Sequence, residues 1–218
     1  MPLLAYCMME AATEVAKPSA GVGETTVQDL QESGLRCFFS CFESRNQLAH
    51  IPAAESALGF HGVVQALFRQ AIVIPFRFPT LAEDEEELRG WLREGAARYS
   101  EALARLRDTV QMEVHIRYGD ASQPSPPAAS GGEYLRQKQA RAASLAGAAE
   151  QFQQATRPWV LEWRQRQARA EIRCYALVQR PAVAAFQAAA QAVSDSLSGA
   201  RLSGPWPPAE FLEPVKDS

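Results

Sequence analysis

Five consecutive acidic residues, Glu83-Asp84-Glu85-Glu86-Glu87, are the densest set of potential oxygen ligands in the 218-residue chain. Carboxylates at that density could hold a hard cation, but the run lacks the alternating Asp/Asn and Gly spacing of a calcium loop. Negative charge favoured by the dipole at the start of a helix accounts for it without metal. His50, His61 and His115 stand apart from one another and from Cys7, Cys37, Cys41 and Cys174, with no Cys-x-x-Cys or His-x-x-x-His spacing for zinc. Gly21-Val22-Gly23-Glu24-Thr25 has the glycines of a phosphate loop but not its Lys-Ser/Thr pair. No Gly-x-Ser-x-Gly elbow offers an acyl-transfer nucleophile. Cys37 and Cys41, an even number apart, can share one face of a strand and read as core filler rather than a redox couple. Catalytic, cofactor-binding and metal-binding residues are therefore expected to be none, and the chain reads as a binding or assembly protein, not an enzyme.

Cationic side chains offer the remaining chemistry. Arg157, Arg164, Arg166, Arg169 and Arg173 surround Trp159 and Trp163, a basic aromatic stretch that reads as a helix from Trp159 toward Arg169. Such a helix could engage RNA or an acidic protein, but the formal net charge of −3 gives no global pull toward nucleic acid or anionic membrane. Arg77 lies between Pro75-Phe76 and Phe78-Pro79. Two readings stay open for it: an ion pair with the acidic run, or a fixed contact point on a partner.

The elements that must position these residues follow from periodicity. Hydrophobic residues make up 47% and charged residues 22%, the balance of a globular protein. Residues 3–9 form an apolar run expected as a buried strand, and 27–30 and 35–42 add two more. A helix is expected from Ala53 to Gln70, leading into a strand over 71–79 that leaves through its two prolines. Glu83 to Arg107 carries leucines and Tyr99 at helical spacing. Met112 to Tyr118 alternates as a strand, and 120–132, rich in Pro and Gly, is expected as a flexible loop. A helix from Glu133 to about Thr156 with Leu135, Leu145 and Phe152 inward, a strand over 171–180 and a helix from Pro181 to Leu197 complete the pattern.

This order predicts an α+β protein of two compact domains, 1–108 and 109–218, the second a modified ferredoxin-like fold. The scattered cysteines indicate reduced thiols in the cytosol, and the opening residues lack the basic flank and length of a signal peptide or anchor. The closing segment 204–212, Gly204-Pro205-Trp206-Pro207-Pro208-Ala209-Glu210-Phe211-Leu212, is too rich in proline for a helix and too aromatic for a solvated tail. It is expected as an ordered, extended terminus pinned to the body.

Four segments, in order, resemble the gas-vesicle protein family of the F/L type. They are Leu4-Ala5-Tyr6; Phe60-His61 to Phe68 followed by Val73-Ile74-Pro75-Phe76-Arg77-Phe78; Ser130-Gly131-Gly132-Glu133-Tyr134-Leu135-Arg136-Gln137-Lys138; and Gly204-Pro205-Trp206-Pro207-Pro208 to Phe211. The sequence departs from the family pattern at Pro79, where glycine is usual, and at Ala209, where an aromatic is common. The resemblance implies a cytoplasmic accessory protein of gas vesicle assembly with two α+β domains, one ferredoxin-like, and no catalytic residue to carry over. Its implied partners are the small hydrophobic shell protein and other gas vesicle accessory proteins, with no nucleic acid and no membrane. The candidate partner-binding residues are Pro75, Phe76, Arg77 and Phe78 at the strand end and Gly204, Pro205, Trp206, Pro207, Pro208 and Phe211 in the closing segment. The alternative is a ferredoxin-like regulatory or RNA-binding module without catalytic activity.

Overall fold

The computed structural model describes residues 1–117, 131–168, 171–197 and 199–212. The chain is mixed α+β, and its described residues divide into one unit of Met1–Asp108 joined by Trp206 to Leu212, and a second within Thr109–Pro205. The closing segment is thereby split, with Trp206 to Leu212 in the first unit. The loop expected over 120–132 lies outside the described residues as far as 130.

The first unit is organised by β1 (Leu3–Glu10), whose residues from Leu3 to Met9 are all at most 3% exposed. A strand buried on both faces needs a continuous apolar run, and Leu-Leu-Ala-Tyr-Cys-Met-Met supplies one. It pairs antiparallel with β3 (Leu35–Cys41), which pairs in turn with β2 (Gln28–Glu32). On its other side lie the two-residue strands β4 (Ile74–Pro75) and β5 (Leu81–Ala82), giving the order β2-β3-β1-β4 with β5 also on β1. The strand expected over 71–79 is cut to the two residues of β4, and β5 lies beyond it; Pro79, with no N–H, cannot carry the ladder on.

A register shift between Ala5 and Cys7 changes the alternation of β1. Leu3 and Ala5 before the bulge and Met8 after it consequently share one face with Leu30, Cys37, Phe39, Leu88, Leu92 and Leu103. The last three come from α3 (Glu85–Arg105), which covers that face. Tyr6 points the other way, its ring 5.4 Å from Phe60 of α2 (Ala53–Phe68). Its hydroxyl donates to Ser40 Oγ (2.9 Å) and accepts from the Val22 backbone N–H (2.9 Å). A Cβ on Gly21 would stand 2.3 Å from this hydroxyl, so glycine there lets the loop reach it. A short helix, α1 (Arg45–His50), precedes α2.

The acidic run opens α3. Asp84 caps the helix by accepting from the Glu87 N–H (2.9 Å), while Glu87 accepts from the Glu83 N–H (2.7 Å). Arg45 pairs with Glu83, Arg93 with Glu86 and Arg89 with Glu85, so helix chemistry accounts for the cluster.

The second unit runs β6 (Thr109–Arg117), α4 (Gly131–Thr156), β7 (Val160–Ala168), β8 (Glu171–Gln179), α5 (Val183–Ser194) and β9 (Ala200–Trp206). Its antiparallel sheet has the order β7-β8-β6-β9. Val110, Met112, Val114 and Ile116 alternate along β6 into a core shared with Leu145, Phe152 and Phe186, whereas Leu135, expected inward, is 57% exposed. The helix expected from Trp159 toward Arg169 is strand β7, paired with β8 from Val160↔Val178 to Ala168↔Glu171. Cross-strand pairing there overrides the helical preference of its Glu, Gln and Arg residues. Gly204, at φ +114, brings β9 close to β6: a Cβ would lie 2.9 Å from the Gln111 carbonyl oxygen. No helix among the described residues is long and apolar enough to cross a membrane.

The Tyr6 hydroxyl gives a direct check on the first unit. Tyr6→Phe leaves the buried Val22 N–H without its acceptor and is expected to cost about 1–3 kcal/mol. Urea unfolding followed by tryptophan fluorescence measures it, and a loss below about 0.5 kcal/mol contradicts the assignment.

Candidate functional site

Each histidine has a close neighbour, and Cys7, Cys37 and Cys174 are buried. His50 Nδ1 lies 2.6 Å from the Asn46 carbonyl oxygen, and the His61 ring meets Trp206 edge-on at 5.3 Å. His115 Nε2 is 2.8 Å from Glu171 Oε2, and that hydrogen bond, helped by Arg173 and Arg117, holds the Glu171 carboxyl below its usual range. All four cysteines are free thiols. Burial pushes the Cys7 and Cys37 thiols well up and Cys174 to about 12, which keeps them protonated and unreactive. Among the described residues no cluster of three or more His, Cys, Asp and Glu could hold a metal ion.

The basic stretch changes character once β7 is a strand. Arg164 and Arg166 sit opposite Tyr175 and Arg173 on β8. Glu162 pairs with Arg164 at 2.7 Å, and Glu113 and Glu171 lie 3.7 and 3.6 Å from Arg173. Carboxylates thus interleave with the arginines, and Arg169 lies outside the described residues.

A groove of about 370 Å³ in the first unit brings together several of the partner-binding candidates. One wall is the end of β4, Ile74-Pro75-Phe76-Arg77, with Met8 of β1 beside it. The other wall is the C-terminal half of α3, through Arg98, Tyr99, Glu101, Ala102 and Arg105, and Leu212 also lines the groove. Phe76 leans toward Trp91 of α3 with ring centroids 6.3 Å apart. Arg77 is exposed and makes no ion pair with the acidic run or with any other described residue. Phe78 faces elsewhere, 5.2 Å from the Phe60 ring.

The α3 wall depends on a glycine inside the helix. A Cβ on Gly95 would come within 2.1 Å of the Tyr99 ring, so the ring lies flat along the turn before it only because Gly95 has no side chain. Glycine in a helix interior costs about 1 kcal/mol against alanine, a cost set here against the seating of Tyr99. Arg98 stacks on that ring, 4.6 Å from its centroid, and donates to the Tyr99 hydroxyl at 2.7 Å. Neither Gly95 nor the α3 wall stood out in the sequence; the signal is a mid-helix glycine four residues before an aromatic.

The closing segment packs beside the groove. Phe211 is fully buried, and its carbonyl accepts from Arg105 Nη2 at 2.6 Å. Pro207 and Pro208 are also buried, Trp206 packs on His61, and Gly204 and Pro205 belong to β9 in the second unit. Within the first unit, then, Pro75, Phe76 and Arg77 line the groove, Phe78, Trp206, Pro207, Pro208 and Phe211 pack outside it, and Leu212 is the one closing residue that lines it. Phe211→Ala is expected to lower the stability of the first unit by about 3 kcal/mol through the cavity left behind. Denaturant unfolding checks this, and an unchanged midpoint would mean that Phe211 does not hold the segment.

Comparison with known proteins joins these features to a family. The family described as gas vesicle synthesis protein GvpL/GvpF matches residues 2–213. The gas vesicle protein GvpF of Anabaena sp. PCC7120 superposes with a TM-score of 0.70 at 13% identity, over 97% of this chain and 96% of that one. GvpF of Microcystis aeruginosa gives a TM-score of 0.66 at 13% identity, over 97% and 99%. Their likeness at this identity is one of fold. No curated protein sequence is significantly similar to it. With the match running nearly end to end, the chain belongs to the GvpL/GvpF family of gas vesicle synthesis proteins.

Proposed function

We propose that this chain is a cytoplasmic accessory protein of gas vesicle assembly that binds the small hydrophobic shell protein and aids its incorporation, without catalysing a reaction. A subunit with an apolar, gas-facing surface is an aggregation hazard until it is incorporated. A partner that covers this surface would hold the subunit in solution and deliver it to the growing vesicle, where other accessory proteins act beside it. The single observation that carries this reading is the open apolar groove between the β4 end and α3, in a member of a gas vesicle synthesis family. Apolar grooves with a few oriented polar groups are the surfaces on which proteins commonly bind ligands and peptides.

The order β6-α4-β7-β8-α5-β9, with the sheet arranged β7-β8-β6-β9, supports a ferredoxin-like description of the second unit. In the first unit the closing residues serve the groove as its support, through Phe211 and Leu212.

Co-expression with the shell protein tests the reading. The soluble fraction of shell protein and the vesicle yield are both expected to rise at least severalfold when this chain is present. Equal solubility and equal yield with and without it would end the proposal.

A further inference from the structure

We propose that the groove takes an amphipathic helix of its partner, with an apolar stripe seated between β4 and α3 and carboxylates on its flank held by Arg77 and Arg98. This rests on the reading of the groove as a partner-binding surface and specifies the chemistry that it selects.

Charge at the rim gives the first argument. Among the described residues, Arg77, Arg98 and Arg105 line the groove against the single carboxylate of Glu101. Arg105 is engaged with the Phe211 carbonyl, but Arg77 and Arg98 form no ion pair among the described residues, and both are exposed. In a chain of net charge −3 this is a local reversal of sign. A partner with acidic residues flanking its apolar contact is drawn in and oriented by such a rim, and a basic partner is rejected. Arg98 is held in place by its stack on Tyr99, so its guanidinium is already positioned for a carboxylate.

The backbone of β4 gives the second argument, against an added strand. Phe76 N–H bonds to the Tyr6 carbonyl, and Ile74 stands opposite Met8 in the ladder. Pro75, between them and opposite Cys7, therefore turns its nitrogen away from β1, toward the outer edge. Proline has no N–H to offer there, so an incoming strand would lack a donor at the one residue of this two-residue strand whose backbone faces outward. Recognition must come through side chains, and the apolar stripe of a helix, with anchors at i, i+3, i+4 and i+7, suits a groove walled by Phe76, Tyr99, Ala102 and Leu212.

Selection from a phage-displayed library of random 16-residue peptides against the full chain tests this without presuming the partner. The enriched peptides are expected to place apolar residues at helical spacing beside Asp or Glu. Their affinity is expected to fall at least tenfold for the Arg77→Glu/Arg98→Glu double variant, whose thermal melt should match the parent, and to weaken as salt is raised. Enrichment of basic or uncharged peptides, an empty selection, or equal affinity for the double variant overturns the proposal. Ala102→Trp, which fills the groove without altering the rim charge, should abolish binding of the same peptides, and retained binding also overturns it. Co-purification of the shell protein with parent and double variant separates the two ideas. Shell binding that is equal in both sinks this inference alone. No shell binding by the parent sinks the assembly reading, and the peptide selection then decides the groove by itself.

Discussion

Burial of β1 on both faces is the constraint from which the first unit follows. Seven consecutive residues with almost no contact with water need a layer on each side, and the bulge at Ala5 and Cys7 decides which residues face which layer. Alpha3 covers one face through Leu88, Leu92 and Leu103, and α2 meets the other at Tyr6 and Phe60. The one buried hydroxyl in the strand, on Tyr6, is satisfied from both directions and ties the loop around Val22 to the sheet. Buried polar groups are tolerated on this condition.

The groove follows from how the sheet ends beside that strand. Beta4 contributes only Ile74 and Pro75, so beyond it the face of α3 carrying Arg98, Tyr99 and Ala102 has a short strand end opposite it. Gly95 seats the tyrosine, the tyrosine seats Arg98, and Arg105 fixes the carbonyl of Phe211 next to Leu212, which lines the groove. These supports are rigid elements or side chains locked by packing. A surface built this way is pre-organised, which lowers the cost of ordering on binding.

Much of the fold was legible because it rests on periodicity and apolar runs. The buried strand at 3–9, the helices at 53–70 and 83–107 and the strand at 171–180 correspond to β1, α2, α3 and β8. Reading failed where pairing overrides local preference. Glu162, Arg164, Arg166 and three glutamine and alanine neighbours look helical, yet β8 captures them as a strand. Gly204 and Pro205 look like chain breakers, yet the absence of a Cβ at 204 is what lets β9 lie against β6. The Pro-Phe-Arg segment of the candidate site stood out through its unusual residues. Its opposite wall did not, because Arg98, Glu101 and Arg105 are ordinary exposed helix residues until the fold sets them across from Phe76.

On the proposed function, the β4–α3 groove is the surface that holds the shell protein. Its most direct test is a photocrosslinking amino acid placed at Ala102 in vesicle-forming cells, with Leu58, an exposed residue of α2, as the control position. Binding in the groove gives a covalent adduct with the shell protein from position 102 and none from position 58. No adduct from position 102, or equal adducts from both, would contradict it.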